Sequence, residues 1–282
     1  MKKTFLFLRS FALSAFFLTA VACSNDDDGG DNGGGEDQLN IVEIALQTPE
    51  LTALVSALQA ADGDLVNFLQ GDGPFTVLAP TNAAFTAFLA SNGFGSVDDV
   101  PSDVLEEILL NHVIATDIKS SDLANAGTGY ASTSATGAGG NNISVYFNAT
   151  AGVRFNNVAA VTDGGADIDA SNGTIHIIDA VIPLPTTLTH AAANPNFTSL
   201  VTALGAADGN LIELLGGEGP FTVLAPDNDA FAAFLDGADL GGVNTAVLSR
   251  ILLNHVLDAD LGAVSSSNLV ALGNDYVNTS VT

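Results

Sequence analysis

Past residue 39 the apolar positions follow two rhythms. Val104, Leu105, Ile108 and Leu109, and again Val247, Leu248, Ile251 and Leu252, recur at intervals of three and four, which places them on one face of a helix. Phe85, Phe88 and Leu89 repeat the pattern, as do Phe231, Phe234 and Leu235. Each of these runs follows an Ala-Pro pair and then Thr81 or Asp227, whose side-chain oxygens predict N-caps. Ser102 and Thr245 predict caps for the other two runs in the same way. Residues 75–78 and 221–224 are short, β-rich and closed by Pro, which predicts strands feeding the capped helices. From Asn142 the rhythm shortens, and residues 143–147, 153–155 and 174–182 predict strands, with Asn172-Gly173 as the turn of a hairpin begun at 166–169. Helices in front and strands behind, with little alternation between them, define an α+β fold.

The chain also repeats itself. Residues 73–85 return 146 positions later as 219–231 with 11 of 13 identical, and Leu54, Leu58 and Ala61-Asp62-Gly63 match Leu200, Leu204 and Ala207-Asp208-Gly209 at the same offset. Asn111-His112-Val113 returns at Asn254-His255-Val256, three residues early, and Ser120-Ser121 recovers the first offset at Ser266-Ser267. A period this long is a duplicated domain, since solenoid units run at roughly 20 to 50 residues. Tyr130 aligns with Tyr276 and Thr136 with Thr282, so the second copy stops ahead of the late strands. The expectation is that the chain is part of a longer protein, with strand donation by another chain as the alternative.

The amino terminus has a different character. Lys2, Lys3 and Arg9 lead into an apolar stretch at 11–22 that ends at the only cysteine, Cys23. It is too short to span a bilayer comfortably and has the layout of an export signal. Residues 20–23 resemble a bacterial lipobox, which implies cleavage before Cys23 and a lipid on its thiol, although Ala20 stands where Leu is usual. The acidic, Gly-rich run to Gln38 reads as a tether, and acids directly after the lipidated Cys resemble a surface-export signal. The expected organisation is a signal peptide at 1–22, a tether at 23–38, one domain at 39–185 and a truncated second at 186–282. The expected location is the outer face of the outer membrane, with the lipid as the only membrane contact.

Three ordered segments, 73–85, 109–113 and 170–179, carry a resemblance to the fasciclin domain family. The resemblance implies two wedges of β-sheet with helices packed along them, the second lacking its C-terminal strands. It also implies the company of secreted and surface-anchored adhesion proteins. The family's second segment often reads Tyr-His and is tied to integrin adhesion in animal members. Asn111 and Asn254 replace that Tyr here, so the role is not carried over.

Charge and composition narrow the chemistry. With 32 acids against 6 bases and a formal net charge of −26, no surface suits phosphate neutralisation, and nucleic acid is excluded as a partner. A single Cys removes intrachain disulfides and multi-Cys zinc sites, and no Trp offers a sugar-stacking platform. No two of His112, His176, His190 and His255 have metal-ligand spacing. His112 and His255 share the helical stripe with Ile108 and Ile251, which predicts buried imidazoles bonded to backbone; Asn111, His176 and Asn254 are taken as structural with them. Asp167, Asp169, Ser171 and Gly173 imitate a calcium loop, but the Gly falls one position late and Ile178 stands where Glu is needed. The Gly-rich segments at 127–129 and 137–140 lack a phosphate-binding Lys and are read as loops. No catalytic residue, metal or cofactor is expected. The leading reading is tandem adhesion modules for an extracellular protein or glycan. An outer-surface glycan or small-molecule binder comes second, and an acid-dependent hydrolase third.

Overall fold

A computed structural model describes residues 38–137, 140–217 and 219–257. The expected export signal, Cys23, the expected tether as far as residue 37 and the last stretch of the second repeat, residues 258–282, lie outside the described residues.

The first repeat opens with three helices, α1 (Ile41–Gln47), α2 (Thr52–Ala60) and α3 (Leu65–Gln70), of which α1 carries a capping box between Asn40 and Glu43. Strand β1 (Phe75–Pro80) then leads into α4 (Asn82–Asn92), where Thr81 Oγ1 accepts from Ala84 N–H as the sequence predicts. Helix α5 (Ser102–Leu110) follows, then β2 (Val113–Ile114), α6 (Ser120–Ala126) and β3 (Thr128–Thr136). Strands β4 (Asn142–Asn148), β5 (Arg154–Phe155), β6 (Ala159–Ala160), β7 (Ile168–Ala170) and β8 (Gly173–Ile178) complete the repeat.

Two four-stranded sheets result, ordered β2-β1-β8-β7 and β3-β4-β5-β6. All six residues of β1 are buried, because both its faces are covered. Phe75, Val77 and Ala79 join the core formed with helices α1 to α5, while Leu78 faces the opposite way into a second core with Ile114, Val145, Phe155 and Ile178. Strand β8 pairs with β1 in parallel, from Phe75 opposite Gly173 to Pro80 opposite Ile178. A parallel strand buried on both faces reads as a continuous apolar run, as Phe-Thr-Val-Leu-Ala-Pro does.

Four local expectations need correction. The pairing of Ala170 with Gly173 makes Ser171-Asn172 the turn, one residue earlier than the Asn-Gly signal suggests. Gly173 is instead the first strand residue at φ +152°, where a Cβ would lie 1.9 Å from the Phe75 carbonyl oxygen. The expected strand at 174–182 stops at Ile178, and the backbone of Ile182 turns to bond a histidine. Ser102 does not cap α5; its hydroxyl reaches Asp62 Oδ2 at 3.0 Å. The expected Gly-rich loop at 127–129 runs into β3, where Gly129 leaves room for the Phe147 ring, whose Cζ would be 2.8 Å from a Cβ.

The second repeat copies the helical half. Helices α7 (Thr187–Ala193), α8 (Thr198–Ala206) and α9 (Leu211–Gly216) precede β9 (Thr222–Val223), α10 (Asn228–Leu235), α11 (Thr245–Leu253) and β10 (Val256–Leu257). Its core of Leu200, Leu204, Leu211, Leu215, Phe231, Leu248 and Leu252 occupies the aligned positions of the first core. Polar brackets recur as well. Asn82 Oδ1 accepts from Ala53 N–H and its amide donates to Pro49 O; Asn228 does the same with Ser199 and Pro195. Asp227 caps α10 through Ala230 N–H, and Thr245 donates to Asp208 as Ser102 does to Asp62. Asn244, and not Thr245, caps α11. Among the described residues β9 pairs with β10 alone.

The buried Asn172 side chain joins three segments of the first repeat. Its amide donates to Leu69 O and Gly71 O, each at 2.7 Å, and its Oδ1 accepts from Ile41 N–H at 3.0 Å. Asn172→Ala leaves these groups buried without partners and is expected to cost about 3 kcal/mol in chemical denaturation. A loss under about 0.5 kcal/mol, the range of an ordinary surface change, contradicts this assignment.

Candidate functional site

The family-like motif lies at the end of α5, where the helix's last carbonyls need donors. Asn111 and His112 are 0% and 1% exposed. His112 Nδ1 donates to Ile108 O at 2.7 Å, and its Nε2 accepts from Ile182 N–H at 2.9 Å. A carbonyl on one side and an N–H on the other fix the neutral tautomer with its proton on Nδ1. Burial drives the pKa of His112 down from 6.5 to about 4, against the opposing effect of the Ile108 bond. Asn111 donates to Ile182 O at 3.4 Å and Pro183 O at 3.3 Å, and accepts from Thr133 Oγ1 at 3.4 Å. The pair fastens helix α5 to the segment that follows β8.

His176 sits on β8 and is 0% exposed. It holds the opposite tautomer: Nδ1 accepts from Asp167 N–H at 3.2 Å and Nε2 donates to Ile118 O at 2.9 Å. The two histidines therefore brace different backbone segments. Each has both ring nitrogens engaged.

The second copy differs. His255 Nδ1 donates to Ile251 O at 2.8 Å, repeating the helix-end bond, but His255 is only half-buried and Asn254 is exposed. The backbone bond expected of both histidines is thus present in the second copy, with burial only partial. No described residue of the second repeat takes the place that residues 181–183 hold over His112.

The acidic hairpin at 167–173 is tied into the fold by its neighbours. Lys119 Nζ donates to Asp169 Oδ1 and Thr174 Oγ1, each at 2.5 Å, and stands 3.8 Å from Asp117. The bond to Asp169 raises the pKa of Lys119. Asp167 accepts from Ser120 N–H at 2.6 Å and from the Ser120 hydroxyl. Burial alone would raise its pKa, but the two Ser120 bonds together with nearby charge, that of Lys119 included, hold it low. Among the described residues no group of three or more His, Cys, Asp or Glu could hold a metal ion. Cys23 lies outside the described residues.

Contacts between the two repeats carry no sequence signal. Asn157 Nδ2 donates to Ala193 O at 2.7 Å, and Asn194 Nδ2 donates to the Tyr130 hydroxyl at 3.1 Å. The Tyr130 ring meets His190 edge-on with centroids 5.8 Å apart. These are pairings across long sequence separations, and no periodicity announces them.

The Fasciclin domain family matches residues 49–185 and 195–281. The chain belongs to that family and carries two copies of its α+β domain. It is 36% identical over 156 residues to protein sll1483 of Synechocystis, covering 53% of this chain and 76% of that one. Against the transforming growth factor-beta-induced protein ig-h3 of Sus scrofa it is 29% identical over 197 residues, 69% of this chain but 27% of that protein. Immunogenic protein MPB70 of Mycobacterium bovis is 32% identical over 146 residues, 50% of this chain and 67% of its own length. A solved domain pair from the insect cell adhesion molecule Fasciclin I aligns over 80% of this chain and 81% of that one, with 18% identity and a TM-score of 0.46.

The tautomer of His112 has a consequence for stability. The imidazole titrates at 6.5 when free and at about 4 in the fold. Between those values the unfolded chain binds the extra proton, so stability is full above pH 6.5 and falls as pH drops toward 4. The loss from this residue is about 3 kcal/mol. Urea midpoints of the wild type and His112→Gln, measured from pH 7.5 to 4, are expected to converge as pH falls. Parallel curves rule out His112 as the titrating group.

Proposed function

We propose that this chain is a surface-anchored adhesion or matrix-interaction protein that acts through its two fasciclin domains. Supporting this is the duplication itself: two copies with matched cores and matched polar brackets on one chain. Two modest sites on one tether bind with an avidity that neither reaches alone. The proposed partner is an extracellular protein or glycan, met by binding and not by turnover. The histidines of the first repeat's motifs fit that reading, because hydrogen bonds to backbone use both nitrogens of each.

In this proposal Cys23 carries the lipid and the acidic run up to Gln38 spaces the body from the outer membrane. After cleavage the remaining bases are Lys119, Arg154 and Arg250 against all 32 acids. A body so charged is held off anionic lipid, and its contacts with basic partners weaken with salt because exposed charges are screened beyond about 8 Å at physiological ionic strength.

Cys23→Ala is expected to move the protein from the detergent to the aqueous phase in Triton partitioning of whole cells. Continued recovery in the detergent phase removes the lipid anchor. For the activity, arrays of matrix proteins and glycans probed with mature protein should show saturable, salt-weakened binding. A reproducible hydrolysis abolished by one Asp or Glu substitution, with no such binding, replaces this reading with an enzyme.

A further inference from the structure

The chain enters its first domain along a seam with the last hairpin. Ser171 N–H donates to Leu39 O at 2.9 Å, and two residues on Ile41 N–H donates to Asn172 Oδ1 at 3.0 Å. Between them Asn40 closes its capping box with Glu43, so three consecutive residues are fixed. Helix α1 follows at once and buries Ile41, Val42 and Ala45 in the helical core. A helix of seven residues has little stability of its own, and it stays in place through this burial and the bonds at its start.

The far side of the seam is itself braced. Strand β7 has three residues and lies at the edge of its sheet, so pairing with β8 alone would leave the 171–172 turn a loose corner. Side chains from the segment leading into α6 tie it down. Lys119 Nζ holds Asp169 and Thr174, Asp117 accepts from the Thr174 hydroxyl, and Ser120 holds Asp167. His176 adds a bond to Ile118 O, and the Asn172 amide adds Leu69 O and Gly71 O. Behind the turn, β8 runs along β1 from Gly173 to Ile178 in parallel register. The seam thus leads into the two central strands of that sheet.

We propose that this seam is a mechanical clamp, which passes tension from the amino-terminal side of the chain into the β1–β8 pair and keeps α1 from being stripped off the core. The inference rests on the anchored reading given above, in which the body is held at Cys23 and its partner is bound elsewhere. Any pull between the two then enters the domain at residue 39. To free α1, the load must part Leu39 from Ser171 and Ile41 from Asn172, because these bonds stand at the point of entry. The ties made by Asp117, Lys119 and Ser120 have a task in this arrangement, since they keep the turn from following the load.

The test stretches the full mature chain, made without its lipid, at constant force between two thiols. One handle is Cys23 and the other is Val158→Cys, in the exposed turn between β5 and β6. In the control geometry Cys23→Ser removes the first handle and Asp98→Cys, at an exposed position ahead of α5, replaces it, so the load bypasses residues 39–41. Ser171→Pro removes the N–H given to Leu39, at a turn position that suits Pro. It is expected to shorten the lifetime under load from Cys23 about fivefold, the worth of one hydrogen bond, and to leave the lifetime under load from position 98 unchanged. Lys119→Met, which unties the hairpin and keeps the Ser171 N–H, is expected to act in the same direction and the same geometry. Should the proline variant fail to fold, Lys119→Met decides by the same comparison. Equal shortening in both geometries marks a turn that supports stability alone and overturns the clamp, as does no shortening from Cys23. Lipidation is read separately by Triton partitioning, so a failed clamp and a failed anchor are distinguishable.

Discussion

The amide of Asn172 is the junction on which the first repeat depends. It sits in a two-residue turn, yet faces inward and bonds the start of α1 and the two carbonyls that end α3. Its own carbonyl accepts from Phe75 N–H, at the first residue of β1. One residue thus sets where the helical layer, the central strand and the last hairpin meet. Gly173 beside it must lack a side chain, because the Phe75 backbone occupies that space. With this corner fixed, β8 lies along β1 in parallel register, and the two cores form on opposite faces of the same strand.

The two repeats share local devices and differ in how they are closed. The Thr81 and Asp227 caps, the Asn82 and Asn228 brackets and the Asp62 and Asp208 clasps are matched almost atom for atom. His112 and His255 both donate to the carbonyl four residues back. What distinguishes them is the second nitrogen: His112 receives Ile182 N–H, and no such bond joins His255 to a described residue.

The parts of this architecture that were legible in the sequence are those governed by local physics. Thr81 and Asp227 cap helices because an oxygen at that spacing reaches a free N–H, and the stripe ending at Ile108 and Leu109 packs inward because its period is helical. Both features are readable within a dozen residues. Asn172 was legible only as a turn residue; its partners lie about a hundred residues away in sequence, and nothing near it names them. Strand β3 was hidden because its Gly and Ser positions have low strand propensity, and it forms by pairing with β4 and by accommodating Phe147. The burial of His112 followed from the stripe, but its fixed tautomer required the fold to bring Ile182 back to it. Tyr130 and His190 meet across the repeat boundary, where no periodicity reaches.

The parallel pairing of β1 with β8 has a kinetic side. It closes a loop of roughly a hundred residues, and such a closure carries a conformational entropy that local helix formation does not. As the chain leaves the ribosome, helices α1 to α5 are made first, while β1 waits for its neighbour until residue 178 has been synthesised. Until then the most apolar strand of the domain has one edge open and a face uncovered. The order of synthesis therefore gives the nascent domain a long interval in which it is unfinished, and that interval carries a standing hazard of aggregation.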